Sequence, residues 1–294
     1  MAGHYRVAMQ RLAIITCLLA VSGPARGQTD PAPAAPDKSA FTLLNPTPRD
    51  LWRPMSADRP DVTESPKTVD AGAVQLEMSF FEYLRDSDNT DAEKTNTLLL
   101  AFSNVKLGLL NNVDLQLVFA LYERQETRPD AGTATVNEGF SDVIVRVKIN
   151  FWGNDQGDTA LGILPFIKIP TGTSVSNGHV GAGIALPFSW DITDKVGLGV
   201  MPELDLVYNE TTGTHDIGLL FSTVLGFEVY GPVAGYVEYV GIALFNGADD
   251  YESLLSFGGT YEITPNAVLD AGARIGLNRR ANDLAVFTGI TLRF

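Results

Sequence analysis

Charged side chains stand at every second position of several apolar runs in this sequence. In one run Arg146 and Lys148 alternate with Val145, Val147 and Ile149. Residues two apart share one face of a β-strand, so the charges fall on one face and the apolar side chains on the other. A face of this kind can hold ion pairs and water, and it can bind or pass small solutes. The side chains assigned to it are Glu77, Lys106, Asp114, Asp142, Arg146, Lys148, Lys168, Glu203, Asp205, Glu228, Glu238, Glu252, Glu262, Asp270, Arg274 and Arg293.

Serine and histidine residues offer a second kind of chemistry, nucleophilic hydrolysis. A hydrolase built on a barrel needs a serine and a histidine side by side on one strand. Here Ser174 and Ser176 fall in the loop before His179 instead. His215 beside Asp216 could activate water, but such a pair at a loop rim is usually solvated. The sequence therefore predicts no catalytic residue, and a barrel hydrolase is the third interpretation.

Metal and cofactor sites have little support in the sequence. One cysteine, Cys17, and three histidines exclude a Cys-based zinc site and disfavour a histidine-rich one. The acidic loop 86–91 lacks the glycine and the glutamate that an EF-hand loop requires, so a solvated loop is expected. No glycine-rich phosphate cradle opens a helix. We predict neither a metal nor a cofactor.

Composition excludes further classes of protein. The chain has 294 residues, 45% of them hydrophobic, and a formal net charge of −14. A nucleic-acid binder needs a basic face, so the acidity argues against one. The apolar content is also too high for a disordered chain.

The first 27 residues have the features of a targeting signal rather than of a structural element. Arg6 and Arg11 precede an apolar run. The sequence Ala25-Arg26-Gly27, with the small residues of a cleavage site, follows it. This order predicts a cleaved secretory signal peptide over residues 1–27. The alternative is a lipoprotein signal acylated at Cys17, which Thr16 before the cysteine disfavours. Removal of three basic residues leaves a mature chain with 18 basic and 35 acidic groups, a net charge of −17, and no cysteine.

A proline-rich segment, residues 28–73, follows the predicted signal peptide. It holds eight of the sixteen prolines. Proline removes backbone donors and blocks helix interiors. We predict that this segment is a periplasmic linker or a plug.

From residue 74 onward the sequence alternates with period two. No segment keeps a helical period for three turns, whereas runs of about ten to thirteen residues recur between Gly, Asn, Asp and Pro clusters. Connections between them alternate, short ones such as 110–112 with longer polar ones such as 85–95 and 124–139. The twelve runs are 74–84, 96–109, 113–123, 140–151, 159–169, 180–190, 196–208, 216–229, 233–245, 252–263, 267–277 and 283–294.

Twelve long alternating runs predict an all-β transmembrane antiparallel up-and-down β-barrel, residues 74–294, in the bacterial outer membrane. Closure removes the unpaired strand edges that lipid cannot satisfy. A soluble β-sandwich also alternates, but its strands are usually shorter. Its strand centres also seldom carry so many charges. The barrel's expected partners are outer-membrane lipid and the barrel-assembly machinery, which would contact the last strand ending at Phe294.

Two stretches, residues 57–77 and 141–153, resemble a known family. Residues 57–66 read ADRPDVTESP, 69–72 read VDAG and 75–77 read QLE, while 141–153 read SDVIVRVKINFWG. These resemble the outer-membrane transporters named after the MetA pathway of phenol degradation, over roughly residues 56–294. The resemblance implies a barrel and a transport role linked to the breakdown of aromatic compounds. It implies no catalytic residues and no particular substrate.

The first of these stretches also has a physical interpretation. Asp58, Arg59, Asp61 and Glu64 sit beside two prolines directly before the first strand. A stiff, charged segment at this place could fold into the barrel, pair with the inward charges and narrow the pore. The alternative is a solvated periplasmic tail.

Taken together, the sequence predicts a channel that passes small solutes by passive diffusion, aromatic or hydrophobic compounds among them. A non-conducting structural or adhesive barrel is the second interpretation. A sealed interior would favour it.

Overall fold

Strands make up nearly all the regular structure in the computed structural model, which describes residues 37–87, 93–245 and 250–294. The predicted signal peptide, residues 28–36 of the proline-rich segment and most of the acidic loop 86–91 lie outside the described residues. One short 3-10 helix spans Arg49–Leu51. No helix in the described part of the chain is long and apolar enough to cross a membrane.

Fourteen strands follow one another along the chain. They are β1 (Val74–Asp86), β2 (Glu93–Leu110), β3 (Val113–Pro129), β4 (Thr135–Gly139), β5 (Val143–Trp152), β6 (Thr159–Ile169), β7 (Gly181–Ala185), β8 (Phe188–Thr193), β9 (Val196–Asn209), β10 (Thr214–Tyr230), β11 (Val233–Phe245), β12 (Asp250–Thr264), β13 (Ala267–Gly276) and β14 (Leu284–Arg293).

The strands form one closed antiparallel barrel. Neighbours in the chain pair with each other, and β1 pairs with β14 to complete the ring. Strands β4 and β5 both pair with β3, and β7 and β8 both pair with β6 and β9. Each of these two couples therefore occupies one position, and the fourteen strands fill twelve positions. The predicted twelve-stranded barrel is confirmed.

Side-chain alternation decides which face each strand turns inward. In β1 the polar side chains Gln75, Glu77 and Ser79 are buried. In β14 every second residue is buried, Phe287 among them. Large apolar side chains cover the outward positions of other strands, as Leu204 on β9 does. An exposed apolar surface around a polar interior is the arrangement that lipid requires.

The two ends of the barrel differ. At one end, here called the short-turn end, tight connections such as 111–112, 231–232 and 265–266 lie beside Val74 and Phe294. The opposite end, called the long-loop end, carries connections such as 170–180.

One predicted connection, 124–139, is wrong. Strand β3 continues to Pro129 and pairs with β4, which leaves only 130–134 between them. Ion pairs of Glu126 with Arg124 and Arg128 lie along this hairpin. The polar composition that suggested a loop therefore belongs to an exposed β-hairpin at the long-loop end.

Candidate functional site: the barrel interior

Residues 53–70, here called the strap, contact strands all around the barrel. The Asp58 amide donates to Glu77 on β1 at 3.1 Å, and the Val62 amide donates to Glu238 on β11 at 3.0 Å. Arg146 pairs with Glu64 of the strap. Arg146 lies on β5, on a side of the barrel away from both β1 and β11. A segment outside a closed barrel cannot reach strands on opposite sides of it. The strap therefore lies in the interior.

Asp58 is the centre of a buried cluster of four charges. Lys148 donates to its two carboxylate oxygens at 2.9 and 2.8 Å. Lys106 contacts both Asp58 and Glu77. Two lysines thus face two carboxylates, and each side chain is no more than 5% exposed. Buried charges are tolerable only when they are paired and hydrogen-bonded in this way.

Arg59 ties the strap to β13 and β1. Its Nε and Nη2 groups donate to the two Asp270 oxygens at 3.1 and 2.7 Å, and Nη1 donates to Ser79. Two parallel bonds between a guanidinium and a carboxylate fix orientation as well as distance. Gly289 on β14 makes room for this arginine, because a Cβ there would lie 2.6 Å from Arg59 Nη2.

Glu238 is bound by backbone groups of the strap. The Val62 and Thr63 amides donate to it at 3.0 and 2.7 Å. The Thr63 hydroxyl lies 2.8 Å from Glu238 and 2.8 Å from the Ser222 hydroxyl on β10. These bonds connect the far tip of the strap to two adjacent strands.

The two ends of the strap meet in a neck. The Arg53 amide donates to Asp70 at 3.1 Å, and its guanidinium donates to the Thr68 and Asn111 carbonyls, each at 3.0 Å. Lys38 bridges Asp70 and Asp155 at 3.2 and 2.8 Å. The strap is therefore a loop closed at its base, and the neck fastens it to the short-turn end.

Asp155 lies in the turn 153–158, outside the strands. Burial alone would raise the pKa of its carboxyl. Hydrogen bonds from Lys38 and Asn111, together with the charge of Arg53, hold this pKa below its ordinary value. The carboxylate that helps to hold the neck is therefore ionised at neutral pH.

Some residues assigned to the inward face form ion pairs away from the strap. Lys168 pairs with Asp142 at 2.8 Å and Arg274 with Glu82 at 2.6 Å, both toward the long-loop end. Asp114 is fully buried and accepts from the Val69 amide of the strap at 3.0 Å. Arg293 donates to the Arg53 carbonyl at 2.8 Å and lies 3.9 Å from Asp70. The other members are Glu203, Asp205 and Glu252, which are half-buried, and Glu228 and Glu262, which are exposed. Asp61 of the strap is half-buried.

The histidines and serines considered for hydrolysis take part in loop contacts. His179 stacks on Tyr208 with ring centroids 3.5 Å apart, and His215 Nε2 lies 2.8 Å from the Val180 carbonyl. Ser174 donates to the Glu138 carbonyl and Ser176 accepts from the Gly178 amide. The contacts with Tyr208, His215 and Glu138 hold the loop 170–180 against neighbouring strands, whereas the bond between Ser176 and Gly178 lies within the loop.

The inward face also carries an apolar strip that sequence reasoning missed. Leu164, Ala185 and Met201 are buried together with Leu220 against them, and Leu220 also packs against a second cluster. That second cluster contains Val240, Leu254 and Ala281, with Val62 of the strap beside it. The strip follows β6 to β12. Around Leu164, β6 is apolar on both faces, which hides this part of the strip from an alternation pattern.

The neck was missed as well. Nothing near Arg53 in the sequence marks it as a partner of Asp70, and Lys38 lies in the proline-rich stretch. Gly108 is the one local signal, because a Cβ there would overlap the Asp70 carbonyl oxygen. A glycine in mid-strand often marks such a close approach of another backbone.

Comparison with known proteins gives one family and several structures. The family model described as "Putative MetA-pathway of phenol degradation" matches residues 57–294. No curated protein matches the chain.

Among solved structures, the COG4313 outer membrane channel from Pseudomonas putida F1 aligns with a TM-score of 0.56 at 10% identity, over 81% of this chain and 100% of that one. The NanC porin aligns with a TM-score of 0.47 at 12% identity, over 74% and 98%. The CymD monoaromatic hydrocarbon channel aligns with a TM-score of 0.43 at 8% identity, over 75% and 87%. The alignment with the COG4313 channel shows that the fold is that of an outer-membrane β-barrel.

Proposed function

This chain belongs to the family described as "Putative MetA-pathway of phenol degradation", and on that premise we propose that it is an outer-membrane channel for small solutes, aromatic or hydrophobic compounds among them, whose lumen is plugged at rest by the strap. The observation that carries the proposal is the ionic attachment of the strap, through Asp58, Arg59 and Glu64, to charges on the inner wall. Passage would be passive.

The nature of these contacts supports a plug that can leave. Between the strap and the wall they are mostly hydrogen bonds and ion pairs, and Val62 of the strap tip adds an apolar contact. Water can replace hydrogen bonds and hydrate charges in a lumen, whereas it cannot replace apolar packing. Displacement of the strap tip would therefore cost less than unfolding of a barrel strand.

The neck supports a particular kind of movement. Arg53 is bound to Asp70, Thr68 and Asn111, so the base of the strap is held at the short-turn end independently of its tip. The tip, around Val62 and Thr63, would move while the neck stays in place. In outer-membrane barrels the short turns face the periplasm, so the strap would enter the lumen from the periplasmic side.

The apolar strip supports the choice of solute. Leu164 and Met201, each 1% exposed, and the half-buried Leu220 lie on the inner wall, and movement of the strap tip would open apolar surface there that a sugar would not use. An aromatic or hydrophobic solute gains free energy there in proportion to the apolar area that it buries. The family description, which refers to phenol degradation, points to the same class.

A second function is favoured by the extent of burial. Lys106, Lys148, Glu77 and Glu238 are at most 2% exposed, so the strap fills part of the lumen completely. If this packing never loosens, the protein is a non-conducting structural or adhesive barrel.

Solute flux distinguishes the two functions. The mature protein is refolded into liposomes, and the influx of phenol and of a small sugar is measured in protein that an electrophoretic shift shows to be folded. We expect phenol to enter faster than the sugar. No flux of either solute would favour the non-conducting barrel, and faster sugar flux would contradict the choice of solute.

A further inference from the structure

A cavity of about 460 Å³ opens at the short-turn end, beside the neck of the strap. One side is formed by Arg49 and residues 52–55, and the other by Arg293 on β14, Val268 on β13 and the turn 265–266. Arg49 is exposed, so the cavity is accessible from that end. Its volume is in the range of small-molecule sites.

Two guanidinium groups lie over a single indole ring in this cavity. The Cζ atom of Arg293 lies 4.9 Å from the Trp52 ring centroid, and that of Arg49 lies 5.2 Å from it. The ring itself is held in place, because Trp52 Nε1 donates to the Thr47 carbonyl at 3.0 Å. An anion at the edge of the ring would therefore meet both positive charges.

These two arginines retain donors for a ligand. Arg293 uses Nε on Asn266 at 2.9 Å and Nη1 on the Arg53 carbonyl at 2.8 Å, which leaves its Nη2 group. Arg49 stacks on Trp52, and the structure assigns its guanidinium no hydrogen bond within the described residues. The third lining arginine, Arg53, is occupied by the neck.

The remaining lining suits a partly apolar ligand. Met55, Pro54 and Val268 are apolar, and Glu262 is the acidic group in the lining. Planar guanidinium groups recognise carboxylates through paired hydrogen bonds, and the edge of an indole ring packs against the face of another ring. Both features together select a ring that bears a carboxylate rather than a bare anion or a neutral ring.

We propose that this cavity binds small aromatic carboxylates, with the carboxylate between Arg49 and Arg293 and the ring against Trp52. Binding here requires neither an open lumen nor movement of the strap tip. The proposal and the channel function can therefore fail separately.

Tryptophan fluorescence tests the proposal directly. The chain has three tryptophans, and Trp152 and Trp190 lie exposed on the outer surface. In a Trp152→Phe/Trp190→Phe background, the folded protein in detergent is titrated with benzoate, with benzyl alcohol and with acetate. We expect a saturable change in Trp52 emission for benzoate, and at least tenfold weaker binding of the other two compounds.

Arg49→Gln should weaken benzoate binding about tenfold. Arg49 is exposed, so this variant leaves the barrel intact. Arg128→Gln, which removes one positive charge at the long-loop end, is the matched control and should bind benzoate as the background protein does. The proposal is overturned if benzoate gives no saturable change, if benzyl alcohol or acetate binds as tightly, or if Arg49→Gln binds within twofold of Arg128→Gln.

Discussion

Lys148 and Asp58 meet inside the barrel, where the lysine Nζ donates to both carboxylate oxygens at 2.9 and 2.8 Å. Lys148 lies on β5, and Asp58 lies before the first strand. Lys106 on β2 contacts the same carboxylate. This relationship connects two separate parts of the wall to the strap, so loss of Asp58 should disturb both the stability of the barrel and the closure of its lumen.

The first prediction concerns Asp58→Asn. The change leaves Lys106 and Lys148 buried beside a neutral amide, and removal of one member of a buried pair costs roughly 3 kcal/mol. We expect a lower urea midpoint for unfolding and faster phenol flux into liposomes. Asp37→Asn is the control, because Asp37 is exposed and, among the described residues, accepts from the nearby Ser39. Equal flux through the two variants would show that Asp58 does not hold the strap in place.

A double-mutant cycle tests the contact of Arg59 with Asp270. Arg59→Gln leaves the Asp270 carboxylate, 5% exposed, without its guanidinium partner. Arg59→Gln/Asp270→Asn removes both charges and should recover part of the lost stability. We expect a coupling free energy of about 1–3 kcal/mol from the urea midpoints of the four proteins. Additive losses would mean that the paired geometry contributes nothing.

The register of β5 can be tested by placing a charge at the outward Val145 and, separately, an apolar side chain at the inward Arg146. Val145 pairs with Leu117 and Ile167, both exposed on the outer surface, whereas Arg146 pairs with Glu64 inside. Arginine on the lipid face costs about 2–4 kcal/mol at the bilayer midplane. Val145→Arg should therefore lower the yield of folded, membrane-inserted barrel more than Arg146→Val. Equal yields would contradict the inward and outward assignment.

Leu220 tests the apolar strip, since it packs against both clusters. Leu220→Asn should lower the ratio of phenol flux to sugar flux roughly three- to tenfold, because about 1 kcal/mol of apolar contact with the solute is lost. Leu84→Asn makes the same change on β1, where the pairing of Leu84 with the buried Ala285 turns it inward, away from the strip. An equal fall of the flux ratio in both variants would show that the apolar strip does not determine selectivity.

The barrel could be predicted from the sequence because alternation is a local signal. The pattern Val143, Val145, Val147 against Arg146 and Lys148 determines which face each side chain takes once a strand forms. The contacts of the strap could not be predicted from a local pattern. Arg59 meets Asp270 across 211 positions of sequence, and nothing local selects that carboxylate from the others on the inner wall.

Where the interior is apolar, alternation gives no signal at all. In β6 the inward Leu164 and Phe166 stand between Ile163, Pro165 and Ile167, so both faces look alike in the sequence. The strip becomes visible only when closure of the barrel brings β6, β9 and β10 side by side. The same holds for the neck, whose residues come together only because the strap turns back on itself.

A reversible crosslink between the strap and the wall tests the central claim most directly. The hydroxyls of Thr63 and Ser222 lie 2.8 Å apart, and the single cysteine, Cys17, falls in the predicted signal peptide. Phenol flux is measured for Thr63→Cys/Ser222→Cys before and after reduction, with Thr63→Cys alone as the control and disulfide formation verified by mass spectrometry. A strap that gates the channel predicts little flux through the oxidised protein and recovery to the level of the control after reduction. Equal flux in the oxidised and reduced states would contradict the account.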